Sequence, residues 1–469
     1  MTAVPANGRT PPGPNGQHLK HLRGRFQDCE NMLMGFRSEY GDIVSWQLPA
    51  VECCAVFDAD LIQEILTDQR PYFPRILKFA TRIPTIPNPG LSRLSGAAHR
   101  RKLGPVNAVF SRERLLPYGD IAIRHLEEMT NSWRPGEVIQ AKEELFRVAA
   151  GFLGDAAVGE DMGLGEVLLR QALKAIKWDF AVDLLPFKSL IRKLPLPQNL
   201  VLWRSFRELH EVVAESMRRA REPDSERTDW VAHMVMDATD APVEPPFTDQ
   251  EIRDEVLDML LANLDTTALS LSWVLGRLCR SPAVAARLEQ EVDEVLGDRP
   301  LTAADFDRLP YARAVYLETL RLGMPQFFIE REATEDRVIG GRHLIRKGTL
   351  VQLCRGVVYR DDRYFDRTEE FAPERWLNGG PGCPAHVFVP FNEEPHRCPA
   401  WQFNTMAGVF LVASVARKIR LQPASKEPLE SDFKFLFAPK GPVPVLVTER
   451  EGRADQAAVA AGVQRRLKL

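Results

Sequence analysis

The sequence predicts a mainly α fold with small β-sheets, laid out as one continuous domain. Three observations carry this. From about Glu113 to Leu322 the chain is mostly helical in period, broken by proline-rich loops such as Leu194 to Gln198. Strand-like runs are short and segregated: Ile43 to Leu48, Val51 to Phe57, hairpins within Asp336 to Val351 marked by Gly340-Gly341 and Lys347-Gly348-Thr349, and a closing run from Pro442 to Thr448. No internal repeat or mid-chain linker divides the sequence. Residues 1–17 read as a Pro/Gly-rich coil, 18–450 as the domain, and 451–469 as a polar, Ala-rich tail.

Composition narrows the function classes. The 469 residues are 45% hydrophobic and 27% charged, with a net charge of −3. That balance suits a globular enzyme and gives no basic excess for nucleic acid. The seven cysteines are odd in number and irregularly spaced, with no C-x-x-C pair, so neither a disulfide scaffold nor a cysteine zinc site is expected. The N-terminus has no apolar leader, and the longest apolar stretch, Met406 to Ala416, is too short to span a bilayer. A reducing cytoplasm and no membrane anchor are the expectation.

Thr248-Asp249-Gln250-Glu251 is a capping-box pattern, and helical residues run from there to about Arg280, where Ser281-Pro282 stops them. Such a helix is roughly 45 Å long and crosses a whole domain. Its centre is apolar on all faces, yet Asn263, Asp265, Thr266 and Thr267 cluster there. Buried polar groups need partners. The cluster is either a network linking helices or a place where a proton or ligand is handled inside the core. Thr266 is also placed to bond back to the Ala262 carbonyl.

A further helix opens at Pro310 and ends at Gly323, with Glu318 and Arg321 at i, i+3 on one face. On its own that pair fits a solvated surface equally well. Pro373-Glu374-Arg375-Trp376 supplies another arginine in a turn. Then Phe391 to Ala400 leads into a last long helix, with Pro399 in its first turn and Cys398 at its N-terminus. There the dipole and free N–H groups favour a thiolate. By itself Cys398 is a nucleophile, a redox thiol, a metal ligand or a buried inert cysteine.

Taken in order, these motifs resemble those of the cytochrome P450 family, soluble bacterial type. Ala262 to Thr267 is similar to its oxygen-binding segment, Glu318-x-x-Arg321 to its E-x-x-R motif, and Arg375 to the usual third member. Phe391 to Ala400 is similar to its cysteine loop, with Phe391 seven residues before Cys398. Gly96 to Leu115 resembles the helix beside the haem, and Pro11 to Pro14 the proline-rich start. The resemblance implies a single triangular domain with haem b (iron protoporphyrin IX) between the long central helix and the helix after Cys398. Cys398 would be the iron ligand, whose thiolate favours O–O cleavage. Asp265 and Thr266 would relay protons towards dioxygen. Phe391 and Ala262 would border the haem, and His99, Arg331 and His396 would meet its propionates. Glu318, Arg321 and Arg375 would form a structural network.

The sequence departs from the family pattern at four places: Asn263, Glu394 and Ala400 stand where glycine is usual, and Leu103 where a basic residue is. An inward Glu394 would lower the iron potential. The loop Arg75 to Leu94, Asn263, and Phe327, Phe328 and Leu436 are expected to meet a small, largely apolar organic substrate. The implied activity is a monooxygenase performing hydroxylation, epoxidation or oxidative coupling, with a role in secondary metabolite biosynthesis. No reductase domain is attached, so electrons would come from a separate ferredoxin or flavodoxin, docking at the basic group Arg100, Arg101, Lys102 and Arg397 of a monomer. A haem-thiolate peroxygenase, isomerase or dehydratase needing no external electrons, and a haem-binding protein with lost catalysis, are the other readings.

Overall fold

The computed structural model describes residues 8–14, 16, 24, 28–48, 51–75, 89–183, 187–240, 246–433 and 436–450. The expected tail 451–469, and much of the expected coil, lie outside these residues. The described part of that first segment is held on the β-rich side: Arg9 bridges His343, and Ser45 N–H donates to the Pro12 carbonyl at 2.9 Å.

The helices are α1 (Cys29–Tyr40), α2 (Ala59–Leu66), α3 (Gly96–Val109), α4 (Arg112–Ser132), α5 (Ala141–Val158), α6 (Glu166–Asp183), α7 (Lys188–Ile191), α8 (Pro197–Ala220), α9 (Trp230–Asp240), α10 (Asp249–Leu278), α11 (Pro282–Leu296), α12 (Pro310–Gly323), α13 (Arg355–Val358) and α14 (Trp401–Lys418). The central helix, α10, begins at a complete capping box: Thr248 Oγ1 accepts from Glu251 N–H, and Glu251 reaches back to Thr248 N–H. It packs on α5, α12 and α14, which is why it is apolar all round. The cysteine helix, α14, lies against α4, α11 and α12.

The strands are set apart from this helical body. Ile43–Leu48 and Val51–Val56 form an antiparallel hairpin. The second pairs in parallel with Leu350–Leu353, which in turn pairs antiparallel with Ile329–Glu332. Arg337–Ile339 and His343–Ile345 make a tight hairpin. Gly340 and Gly341 take its two turn positions at φ 57° and 68°, a conformation other residues resist. A three-stranded sheet joins Val138–Gln140, Pro444–Glu449 and Ile419–Pro423. Val138–Gln140 was not foreseen, because its partner strand lies some three hundred residues away.

One buried ion network joins the two regions. Glu318 and Arg321 are both 0% exposed. The Glu318 carboxylate accepts from Arg321 Nε (3.0 Å) and Nη2 (2.9 Å), Arg375 Nε (3.1 Å), Trp376 Nε1 (2.9 Å) and Ala372 N–H (3.0 Å). Arg321 also donates to the carbonyls of Tyr359, Thr368 and Glu370 at 2.8, 2.7 and 3.0 Å. Removing one member leaves uncompensated buried charge. Glu318→Gln is therefore expected to lower the unfolding free energy by about 3–5 kcal/mol, measured by denaturant titration. A loss under about 1 kcal/mol would show that the pair is no more than a surface bridge.

Candidate active site

Cys398 stands three residues ahead of α14. Its N–H donates to the Phe391 carbonyl at 2.8 Å, and its carbonyl accepts from Trp401 N–H at 3.2 Å. Phe391 packs partly buried against the main core beside it. Sequence position alone suggested a lowered thiol pKa. Instead burial pushes the Cys398 thiol up to about 11, against a smaller opposing effect of the Ala400 N–H. Glu394 points outward, 65% exposed and 3.8 Å from Arg397, so it lends the thiol no negative charge at contact range. Neither Glu394 nor Ala400 takes a positive φ; Asn392 does, at 68°. Backbone conformation therefore does not demand glycine at either position. A cleft of about 150 Å³ reaches Cys398 from outside, between Leu103 and Asn107 of α3, Phe110 just after it, and Glu394, Arg397, Pro399 and Trp401.

Next to the loop, positive and imidazole groups converge. His99 on α3 is buried, and its Nε2 lies 3.2 Å from His396 Nδ1. Burial, then Arg75, His99, Arg331 and Arg70, push His396 down to about 3. Burial, with Arg75 and Arg100, also lowers His99. Arg331 is buried on its strand and pushed down to about 9 by burial, Arg75 and Arg355. Its Nη1 donates to the Glu330 carbonyl at 2.9 Å. Among the described residues this group has no carboxylate at its centre; Glu393, on Arg355, is at its edge.

The polar residues of the central helix divide between two faces. Asn263 and Thr267, at i, i+4, turn towards the cysteine helix. Thr267 Oγ1 donates to Asn404 Oδ1 (2.5 Å), Asn404 Nδ2 donates to Asn263 Oδ1 (2.9 Å), and Asn263 Nδ2 donates to the Met259 carbonyl (2.8 Å). Asn263 thus helps to hold α10 to α14. Ala262, Asp265 and Thr266 lie on the other side, where Ala262 is exposed although its neighbours are buried. Thr266 Oγ1 donates to the Ala262 carbonyl (2.8 Å) or, alternatively, the Asn263 carbonyl (3.1 Å). Asp265 Oδ2 is 2.7 Å from Lys177 Nζ of α6.

Phe327 is 1% exposed, its ring 4.8 Å from that of Phe437 and packed over Gly356, where a side chain would collide with it. Phe328 is buried against Phe433. Both are held by residues distant in sequence. Leu436 is half-buried, and residues 76–88 of the expected substrate loop lie outside the described residues. The expected basic docking group is also dispersed. Arg101 pairs with Glu251 at 2.7 Å, and Lys102 is buried on Glu255 at 2.8 Å, leaving Arg100 and Arg397 exposed.

These residues fit a haem. Among the described residues carboxylates meet this cluster only at its edges, Glu393 on Arg355 and Asp258 near Arg75, and two propionates would supply further anions. Cys398 would be the side chain that holds the iron of a bound haem. The sequence from residue 8 to residue 445 matches the family model for cytochrome P450. The chain belongs to the cytochrome P450 family. It is 28% identical over 386 residues to cyclooctatin synthase of Streptomyces melanosporofaciens, covering 82% of this chain and 84% of that one. Pentalenene oxygenase of Streptomyces avermitilis is 26% identical, with 83% and 86% covered. A crystal structure of a cytochrome P450DA haem domain superposes with a TM-score of 0.83 at 20% identity, over 95% of this chain and 99% of that one, which shows the shared fold. As a P450 monooxygenase the protein binds haem and uses dioxygen and reducing electrons. Among the described residues no helix is long and apolar enough to cross a membrane.

In this P450 two carboxylates of the central helix hold the chain just before α3. Glu255 accepts from Leu91 N–H (2.8 Å) and Lys102 Nζ (2.8 Å), and Lys102 also reaches the Pro89 carbonyl (3.0 Å). Asp258 accepts from Ser92 N–H (3.1 Å) and Ser92 Oγ (2.9 Å) and lies 3.3 Å from Arg93 Nε. Sequence reasoning passed over both; acidic residues on an otherwise buried helix were the available signal. Burial, then Asp258, pushes Glu255 up to about 7. The folded chain therefore binds more protons here than the unfolded chain between the ordinary carboxyl range and about 7. That contribution is full below the unfolded pKa and is lost as pH rises through the folded one. Between about pH 5 and pH 8 the wild type should lose on the order of 2 kcal/mol more stability than Glu255→Gln. Parallel stability–pH curves for the two proteins would remove Glu255 from this role.

Proposed function

We propose that this P450 oxidises a largely apolar organic metabolite of secondary metabolism, by hydroxylation, epoxidation or oxidative coupling, with Cys398 as the thiolate ligand of haem b. The observation that carries the reading is the two-faced central helix. One face is bonded through Asn263, Thr267 and Asn404 to the helix that starts at Cys398. The other opens at Ala262, Asp265 and Thr266. Haem bound there supplies dioxygen activation, with the thiolate favouring O–O cleavage. His99, His396 and Arg331 hold its carboxylates, and Phe391 and Ala262 border it. Glu318, Arg321 and Arg375 fix the frame from which the cysteine loop hangs.

The chain's own proton path runs along one helix turn. Asp265 sits between Lys177, which is partly solvent-exposed, and the Thr266 side of the helix. Turning away from Lys177, its carboxylate carries a proton inward, and Thr266 Oγ1 passes it on from a position set by its bond to the Ala262 carbonyl. That built path favours electron-driven oxygen activation over chemistry that consumes no protons. The apolar substrate is supported by relatives named for pentalenene and for cyclooctat-9-en-7-ol. Electrons would come from a separate ferredoxin or flavodoxin to a monomeric, cytoplasmic enzyme.

The reduced protein under carbon monoxide should show the red-shifted Soret band of a haem thiolate, and Cys398→Ser should lose it. Protein purified without haem, or an unchanged band in the variant, would overturn the ligand assignment. Thr266→Ala should keep that band while product per electron consumed falls by about tenfold. Full coupling in Thr266→Ala, measured against oxygen uptake, would remove Thr266 from the path.

A further inference from the structure

Tyr118 of α4 and His233 of α9 are buried titratable groups with no part in the proton path or the propionate cluster. The Tyr118 oxygen lies 2.6 Å from His233 Nδ1, and it meets no other polar group among the described residues. A buried hydroxyl proton needs an acceptor, so Tyr118 donates and the ring nitrogen accepts. Burial, then Arg114, pushes His233 down to about 4, which keeps the imidazole neutral and free to take a proton. Burial, then Asp229, raises the Tyr118 hydroxyl, so the phenol holds its proton at rest. The pair does more than join two helices. Arg114 and Asp237 already tie α4 to α9 at 2.6 and 2.8 Å.

Aromatic rings connect this pair to the cysteine helix. Trp230, 0% exposed, has its ring 5.1 Å from Phe110, 6.4 Å from Tyr118 and 6.2 Å from Phe403. Tyr118 itself is 6.0 Å from Phe403. Phe403 stands on α14, five residues after Cys398, and Phe110 borders the cleft that reaches Cys398. The two oxidisable rings differ in one respect. A phenol or indole that loses an electron becomes a strong acid and is held only where its proton can leave. Trp230 Nε1 is buried with no partner among the described residues, so this ring can only pass a charge on. Tyr118 has a base in contact, so an oxidising equivalent that reaches it stays there. His233, at 8% exposure, keeps an edge at the surface.

We propose that Tyr118, with His233 as its proton acceptor, returns electrons to a haem that a peroxide has oxidised. Hydrogen peroxide takes two electrons from the haem site. Tyr118 restores one: its electron passes to the haem by way of Trp230 and Phe403, its O–H proton moves to His233 Nδ1, and a neutral Tyr118 radical remains. A one-electron reductant such as ascorbate reduces the radical, and the proton returns from His233. A second turn of the pair restores the second electron. The pair thus protects the site when no substrate is there to be oxidised. The inference rests on a haem at Cys398, and it is independent of which substrate the enzyme oxidises.

Haem-loaded, substrate-free protein mixed with hydrogen peroxide and rapidly frozen should show the electron paramagnetic resonance spectrum of a tyrosyl radical. Tyr118→Phe should lose that signal and keep the wild-type carbon monoxide spectrum, which serves as the folding check. His233→Asn keeps an acceptor near the Nδ1 position but is no base, so it should lower the radical yield by about tenfold. A merely structural bond predicts no radical in any of the three proteins. Absence of the tyrosyl signal in the wild type overturns the proposal, as does a full signal in Tyr118→Phe or in His233→Asn. A wild type without the red-shifted carbon monoxide band overturns both this inference and the ligand assignment. The band without the radical overturns this inference alone.

Discussion

Five hydrogen bonds into one carboxylate set the frame for the rest of this molecule. An ion pair with no exposure is costly unless every donor and acceptor is used. Glu318 meets that condition, and Arg321 spends all five of its N–H groups on the carboxylate and three carbonyls. Those carbonyls belong to Tyr359, Thr368 and Glu370, so α12 grips the irregular chain that follows α13. From there the constraint reaches the cysteine loop. Tyr359 Oη accepts from Val389 N–H at 3.0 Å, Trp376 packs its ring 4.3 Å from Phe388, and Arg355 holds the Val389 carbonyl and Asn392 at 3.1 Å each. A loop with little regular structure is fixed in place because its polar groups terminate in a saturated network.

The cysteine helix is held from the opposite side by the Thr267–Asn404–Asn263 bridge. Helical geometry explains why one short segment serves both structure and chemistry. Positions 263 and 267 share a face, while 262, 265 and 266 share another. Polar side chains on the first face are satisfied within the protein and stiffen the contact between α10 and α14. Those on the second remain accessible, Asp265 to Lys177 and Thr266 through its hydroxyl oxygen. A buried helix made uniformly apolar would lack both properties.

Local signals carried most of the fold. The capping box at Thr248, the helix between Pro310 and Gly323, and the Gly340-Gly341 turn depend on neighbours within a few residues, and each is legible in the sequence. Contacts with distant partners were the least legible. Phe327 and Phe328 pack against Gly356, Phe433 and Phe437, none of them a near neighbour in sequence. Arg101 and Lys102 looked like a docking face, yet Glu251 and Glu255 claim them. Asn263 is different: its i, i+4 spacing from Thr267 already placed it on the network face, and that signal was in the sequence.

The absent glycines of the cysteine loop show how a family pattern can change without changing what it does. Glycine is required only where the backbone enters the left-handed region or where a side chain would collide. Here Asn392 takes the left-handed position, and asparagine tolerates it. Glu394 stays outside the left-handed region and turns its carboxylate to solvent beside Arg397, while Ala400 is buried at the start of the helix. The Cys398 sulfur is acted on by burial and by the Ala400 N–H. Its electronic environment is consequently set by backbone dipoles and burial, and the added side-chain charge falls on the outer surface, where water screens it.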